Sequence, residues 1–202
     1  VLYDEEGTVI GVATGDMGIA ATGEKKSNYE PGFELRARYT VFAEGVRGHL
    51  GKQLMERFDL QEQSATQHYA IGFKELWDIP PEKHELGKVV HTVGWPGKHL
   101  SGMFTGSYLY HLENHQVSLG LIVDLSYKNP HMSPFEEFQK WKHHPSIANT
   151  ISGGKRVSYG ARAIVKGGLP ALPKLGFPGG MLVGDNAGFL NMTKVKGSHT
   201  AM

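Results

Sequence analysis

The 202-residue sequence predicts a mixed α+β fold in which one domain is interrupted by a second, built on an antiparallel sheet. Three observations predict it. Strand-like segments near both ends run into turns that pair a glycine with a carboxylate, Glu44-Gly45 and Gly184-Asp185. Between them, residues 107–112 and 117–123 are two apolar runs joined by Glu113-Asn114-His115-Gln116, the pattern of a hairpin. Helix signals separate the blocks. The expected organisation is a first segment over 1–60, a sheet domain over 61–175 and a second segment over 176–202.

Each element follows from local chemistry. Residues 1–3 and 9–13 flank the acidic turn Asp4-Glu5-Glu6-Gly7, a hairpin signature. Residues 35–43 alternate apolar and basic side chains and end almost wholly apolar, which predicts one strand entering a sheet covered on both faces. Leu50, Leu54 and Phe58 recur every four residues and predict an amphipathic helix over 47–58. Ser133-Pro134-Phe135-Glu136 combines a capping serine, a proline at the first helical position and a glutamate that closes a capping box. Phe135, Phe138 and Trp141 continue that helix, and Pro145 marks the region beyond its end. A Gly- and Pro-rich stretch over 167–180 leads to a short strand, Met181-Leu182-Val183. His111 and His115 fall on a strand and its turn, so their spacing does not converge them on a metal, and both read as surface residues.

Composition narrows the function. Apolar residues make up 40% and charged residues 20% of the chain, a globular balance. A net charge of +1 with no basic stripe argues against a nucleic-acid partner. Cysteine is absent, so the segment offers no disulfide, no thiolate zinc site and no four-cysteine cluster ligands. No apolar run approaches the ~20 residues of a spanning helix, so membrane contact would be peripheral. The chain opens on a valine within a strand pattern and stops where a helix is under way, and both ends read as cuts in a longer protein.

No nucleophile–base arrangement and no carboxylate pair stands out, so no catalytic residue and no metal ligand is assigned. The informative pattern is an apolar strand ending in Gly184-Asp185 before a small-residue turn. Glycine lets a ligand approach the backbone, and aspartate can accept a hydrogen bond from a ribose or ribityl hydroxyl. A plain strand followed by an Asp-Asn turn would look the same. Glu44-Gly45 repeats the form after an earlier strand. Flavoproteins with two dinucleotide-binding motifs carry both pairs in this order. Near the end, Gly197 and Ser198 open a helix whose backbone amides could meet an electron-rich ligand edge, although from these residues alone a solvated basic loop is the plainer reading.

Long blocks resemble the electron-transfer-flavoprotein:ubiquinone oxidoreductase family. They include Gly94-Trp95-Pro96, Gly106-Ser107-Tyr108-Leu109-Tyr110-His111-Leu112, Tyr127-Lys128-Asn129-Pro130-His131-Met132-Ser133-Pro134-Phe135, Trp141-Lys142-His143-His144-Pro145 and Phe177-Pro178-Gly179-Gly180. The last block spans 194–202. The resemblance implies part of an FAD-binding domain interrupted by a quinone-binding domain. It implies electron transfer from electron transfer flavoprotein to ubiquinone through FAD and a [4Fe–4S] cluster, with the cluster domain outside this chain. It also implies peripheral attachment to an inner membrane, cytoplasmic or mitochondrial.

By position, Glu44, Gly45, Gly184, Asp185, Gly197, Ser198 and Thr200 would hold FAD, with the Thr200 hydroxyl donating to the flavin ring. Phe104, Thr105 and Gly106 would hold the quinone head group, largely through backbone. Thr105 departs from the family's commoner glycine, which implies a tighter quinone approach or an altered contact. Pro170-Ala171 departs from an amide side chain, which implies a shifted flavin potential. A different flavoprotein of the same architecture, such as a geranylgeranyl-reductase-like or monooxygenase-like enzyme, would share the two turns but not the Tyr-Leu-Tyr-His-Leu or Trp-Lys-His-His-Pro blocks.

Overall fold

The computed structural model describes residues 1–96, 105–191 and 196–202. It divides into two compact units, one formed by Val1–Gln67 with Gly167–Met202 and the other by His68–Lys166.

In the first unit, β1 (Leu2–Tyr3) and β2 (Val9–Ala13) pair antiparallel, as the acidic turn requires. Asp4 holds that turn, accepting from the amides of Glu6 at 3.1 Å and Thr8 at 2.8 Å. A mostly exposed ribbon follows, β3 (Met17–Ile19) with β4 (Lys25–Glu30). The single strand expected over 35–43 is two strands in two sheets. β5 (Glu34–Arg36) pairs antiparallel with β2, and β6 (Thr40–Phe42) pairs parallel with β13 (Gly180–Leu182). The bonding explains the break: the Ala37 amide donates its last bond to Ile10 O, and the chain bends at 38–39 before Thr40 donates to Gly179 O. Cover on both faces also fails, since Val41 on β6 is 57% exposed.

β12 (Gly176–Phe177) completes a three-stranded sheet in the order β12-β13-β6. Helix α1 (His49–Arg57) buries Leu54 against Val9, Phe42, Leu60 and Leu182 in the core of this unit. The four-residue spacing of Leu50 and Leu54 predicts that apolar face.

The second unit is a five-stranded antiparallel sheet in the order β11-β7-β10-β9-β8. Its strands are β7 (Tyr69–Asp78), β8 (Val89–Val93), β9 (Thr105–His111), β10 (Gln116–Asp124) and β11 (Lys155–Val165). The expected hairpin is β9–β10, with Asn114 and His115 both at positive φ in its turn. Val117, Leu119, Leu121 and Val123 alternate onto one fully buried face. Helices α2 (Pro134–Lys142) and α3 (Pro145–Ile151) cover it with Phe138, Trp141, Ile147 and Ile151.

Ser133 caps α2 by accepting from the Glu136 amide at 3.4 Å, although no return bond from the Glu136 side chain is present among the described residues. Pro145 lies beyond the end of α2, as expected, and also opens a second helix. It sits at the first position of α3, where a missing N–H costs nothing, and His144 caps that helix by accepting from the Ser146 amide at 3.3 Å. His111 is not a surface residue. It is 4% exposed, its Nδ1 accepts from the Glu85 amide at 3.1 Å, and its ring lies 5.3 Å from that of His84. Burial, with His84 and Lys88 adding to it, holds the His111 imidazole below its ordinary value.

Candidate functional site

The two carboxylate–glycine turns meet. β6 and β13 run parallel in the register Thr40↔Gly180, Val41↔Met181 and Phe42↔Leu182. Their carboxyl ends therefore lie side by side, and each leads directly into its turn. Phe42 O ties the two together, accepting from the Val183 amide at 3.1 Å and from the buried Asn186 Nδ2 at 3.2 Å. The carboxyl end of parallel strands is where nucleotide ligands sit in α/β sheets.

Glu44 turns back onto α1. Its carboxylate accepts from the Leu50 amide at 3.2 Å and the Gly51 amide at 2.7 Å, capping the first turn of the helix. This packing needs small residues: a Cβ on Gly48 would lie 2.5 Å from Glu44 Cβ, and one on Gly51 would lie 2.4 Å from Asn186 Oδ1. Beyond the strand ends there is room. A Cβ placed on Gly45 or Gly184 meets no heavy atom within 4 Å.

Asp185 follows on a single 3-10 turn, Gly184–Asn186. Among the described residues no donor reaches its carboxylate, and burial pushes the carboxyl up from its ordinary value. Gly197 comes close: a Cβ there would be 3.8 Å from Asp185 Oδ1. It precedes α4 (Ser198–Ala201), a single turn with little dipole of its own. The Thr200 hydroxyl lies against Phe189 O and is 2.7 Å from Gly197 O, so donation to a ligand requires it to rotate away from both. The structure thus brings Glu44, Gly45, Gly184, Asp185 and Gly197 around one end of the β6–β13 pair, with Ser198 and Thr200 following on α4. An uncompensated carboxylate beside two open glycines suits a ligand that presents hydroxyls, and a flavin nucleotide fits this donor and acceptor set.

The shifted Asp185 carboxyl has a testable sign. The folded chain holds this proton more tightly than the unfolded chain does. Stability therefore falls as pH rises from the ordinary carboxylate value through the raised one, and stays lower above it. Asp185→Asn should flatten that slope and raise the melting temperature of the flavin-free protein at pH 7 by roughly 1–3 °C, as thermal melts across pH would show.

The second set of expected residues lies on the sheet of the inner unit. Phe104 falls outside the described residues. Thr105 and Gly106 begin β9 and point to opposite faces. Thr105 faces the helix-covered side, where it is fully buried and its hydroxyl has no partner among the described residues. Its side chain therefore does not project over Gly106, and the tighter approach expected on the glycine's side does not arise from it. Gly106 faces the other way, toward Val93, its partner on β8, and Ile122, its partner on β10. On this opposite face His91 Nε2 and the Tyr110 hydroxyl are 2.6 Å apart, and the Tyr108 and Tyr110 ring centroids are 4.7 Å apart. Sequence reasoning missed His91, which has no motif around it and meets Tyr110 only through strand register. It also missed Asn186, whose role is set by a bond to a strand far away in sequence.

The family model described as "ETF-QO, ubiquinone-binding" matches residues 69–164. Over its whole length the chain is 61% identical to a probable electron transfer flavoprotein-ubiquinone oxidoreductase of Acinetobacter baylyi. It is 60% identical to the electron transfer flavoprotein-ubiquinone oxidoreductase of Pseudomonas aeruginosa and 55% to the mitochondrial one of Mus musculus. The chain belongs to the electron transfer flavoprotein-ubiquinone oxidoreductase family.

It spans about a third of the length of these relatives, 35%, 36% and 33% respectively. Among solved structures, the flavin-dependent brominase Bmp2 covers all of the chain at a TM-score of 0.59 and 14% identity, matched over 45% of its own length. A flavoprotein/dehydrogenase from Cytophaga hutchinsonii covers 91% at a TM-score of 0.55 and 17% identity, over 40% of its length. At such identities these two show a shared fold. Within the electron transfer flavoprotein-ubiquinone oxidoreductase family, the ubiquinone-binding match coincides with the inner unit, whose sheet runs from Tyr69 to Val165. No helix among the described residues is long and apolar enough to cross a membrane.

Proposed function

We propose that this chain is the segment of a longer oxidoreductase that helps hold FAD and receives ubiquinone, in a protein that takes electrons from electron transfer flavoprotein. The observation that carries the reading is the parallel β6–β13 pairing, which puts Glu44-Gly45 and Gly184-Asp185 at one sheet end with open space above their glycines. FAD, when bound, would supply the redox chemistry.

The residues of the chain have simpler tasks. Asp185 accepts from a ribityl or ribose hydroxyl, which relieves its uncompensated burial. Glu44 fixes α1 and thereby the position of Gly45. Gly197, Ser198 and Thr200 offer donors to the polar edge of the ring system. In the inner unit, Gly106 presents bare backbone to a quinone head group, with Phe104 and Thr105 preceding it on the chain. A [4Fe–4S] cluster needs thiolates, and this segment has no cysteine, so the cluster belongs to the rest of the longer protein. Contact with the inner membrane, mitochondrial or cytoplasmic, is peripheral in this reading.

The test uses the full-length protein. It should purify yellow, with one flavin per chain, and reduce a short-chain ubiquinone when supplied with reduced electron transfer flavoprotein. Asp185→Ala removes a hydrogen bond to a charged acceptor, worth about 1.5–3 kcal/mol, and should weaken FAD binding by roughly 10- to 100-fold. Full flavin retention in that variant would sink the assignment of Asp185. A colourless full-length protein would sink the whole reading.

A further inference from the structure

We propose that His91 is the group that delivers protons to the bound quinone and that Tyr110 positions it. This rests on the reading above that a quinone is held at Gly106, and it adds the chemistry that backbone contacts cannot supply. Reduction of a quinone to a quinol takes two electrons and two protons. FAD, when bound in the longer protein, would supply the electrons. The protons must come through groups beside the ring oxygens.

The register of the sheet places His91 for this task. His91 on β8 stands opposite Tyr108 on β9, while Val93 stands opposite Gly106. The diagonal neighbours of His91 on β9 are therefore Tyr110 on one side and Gly106 on the other. Diagonal pairs on one sheet face lie ~7–8 Å apart, within reach of long side chains. His91 binds the first of these, with Nε2 2.6 Å from the Tyr110 hydroxyl. Its other diagonal neighbour is Gly106. His91 is solvent-exposed, so it can exchange protons with water.

The remaining polar groups of this face leave the part to His91. Tyr108 stacks toward Tyr110, hydrogen-bonds Ser118 and lies flat against Gly120, where a Cβ would come within 2.6 Å of its ring. Burial pushes the Tyr108 hydroxyl above its ordinary value, so it is a poor donor. Lys74 stands opposite Gly120 on β7 and, beyond it, Arg162 stands opposite Gly72 on β11, both farther along the sheet from Gly106. Lys88 and Glu85 pair with each other before β8 begins.

In the step itself, protonated His91 transfers a proton to a quinone oxygen as electrons arrive. The neutral ring then keeps Nε2 bonded to the Tyr110 hydroxyl, takes a new proton from water and repeats the transfer to complete the quinol. Tyr110 acts only through His91. It holds the ring in one orientation, so it is a positioning residue.

The experiment measures quinone reduction by the full-length, flavin-loaded protein against pH, using a short-chain ubiquinone. With His91 as general acid, kcat falls as pH rises through the titration of the imidazole. His91→Gln should lower kcat about 100-fold, the low end of general-acid contributions, with KM little changed and that limb of the profile gone. Added imidazole should restore part of the rate. Tyr110→Phe should shift the inflection and lower kcat less. An H91Q protein with the wild-type kcat and pH limb would overturn the proposal, as would a loss of rate that imidazole does not rescue. Gly106→Val tests the underlying quinone site separately: if it leaves KM for the quinone unchanged, that site is elsewhere, whatever His91 does.

Discussion

Replacing Glu75 by alanine is expected to destabilise the inner unit by about 3–5 kcal/mol, the usual cost of leaving a buried cation without its partner. Glu75 is only 3% exposed, in the middle of β7 on the helix-covered face. Lys142, at the end of α2, donates to both of its oxygens at 3.0 Å, and Arg156 on β11 reaches Oε1 at 3.3 Å. The Trp77 indole donates to Oε2 at 2.8 Å. One carboxylate thus joins β7, α2 and β11. Removing it strands the Lys142 ammonium beside Phe138 and Trp77, whose rings lie 5.0 and 5.7 Å away. Glu75→Gln keeps an acceptor for Trp77 and should cost less, while Glu75→Ala with Lys142→Met should recover part of the loss. Urea denaturation of the three variants checks the order. Equal stability of E75A and wild type would show that the cluster contributes nothing net.

The second large effect falls in the outer unit. Gly179 has φ of 79°, a region that costs other residues ~1–2 kcal/mol, and a Cβ there would lie 1.9 Å from Val9 O. The neighbouring backbone is fully engaged: the Val9 amide donates to Pro178 O at 3.0 Å and Thr40 to Gly179 O at 2.9 Å. No rotamer can relieve a clash between Cβ and a backbone oxygen. Gly179→Ala should therefore cost about 3 kcal/mol, adding overpacking to the backbone term, and should displace β13 from β6. Because β13 leads into Gly184 and Asp185, flavin content of the full-length protein should fall together with stability. Gly176→Ala on β12, where a Cβ meets nothing within 4 Å, is the control that should change neither.

What could be read from the sequence depended on whether one stretch held the whole signal. The β9–β10 hairpin announces itself because its buried face alternates strictly and its turn carries Asn114. The start of α2 is legible because Ser133 and Pro134 act within one turn of each other. Strand β11 was missed for the opposite reason. At the sheet edge most of its residues are exposed, so Lys155, Arg156 and Arg162 show no apolar alternation. The β3–β4 ribbon is mostly exposed, with no buried face to impose an alternation, and is equally silent. Pro145 lies beyond the end of α2, as its position predicts, but that it also opens α3 is told only by the cap at His144. In the candidate site, the Gly-carboxylate turns were visible one by one, and family resemblance suggested that they belonged together. Their meeting depends on the register between β6 and β13, and the engagement of Glu44 with α1 depends on the helix's approach. Neither is written in any single window.

The parallel pairing of β6 with β13 joins stretches separated by most of the sequence, which would ordinarily demand the closure of a long floppy loop. The inner unit removes much of that cost. Its first strand begins where its last one ends, with Tyr69 directly partnered to Val165. Once that sheet has formed, the chain enters and leaves it through neighbouring points, and the intervening hundred or so residues behave as a short staple. By the logarithmic dependence of closure entropy on length, this saves about 1 kcal/mol in bringing the outer strands together. A lesion such as E75A that unfolds the inserted sheet should therefore also weaken the β6–β13 pairing, although it touches neither strand.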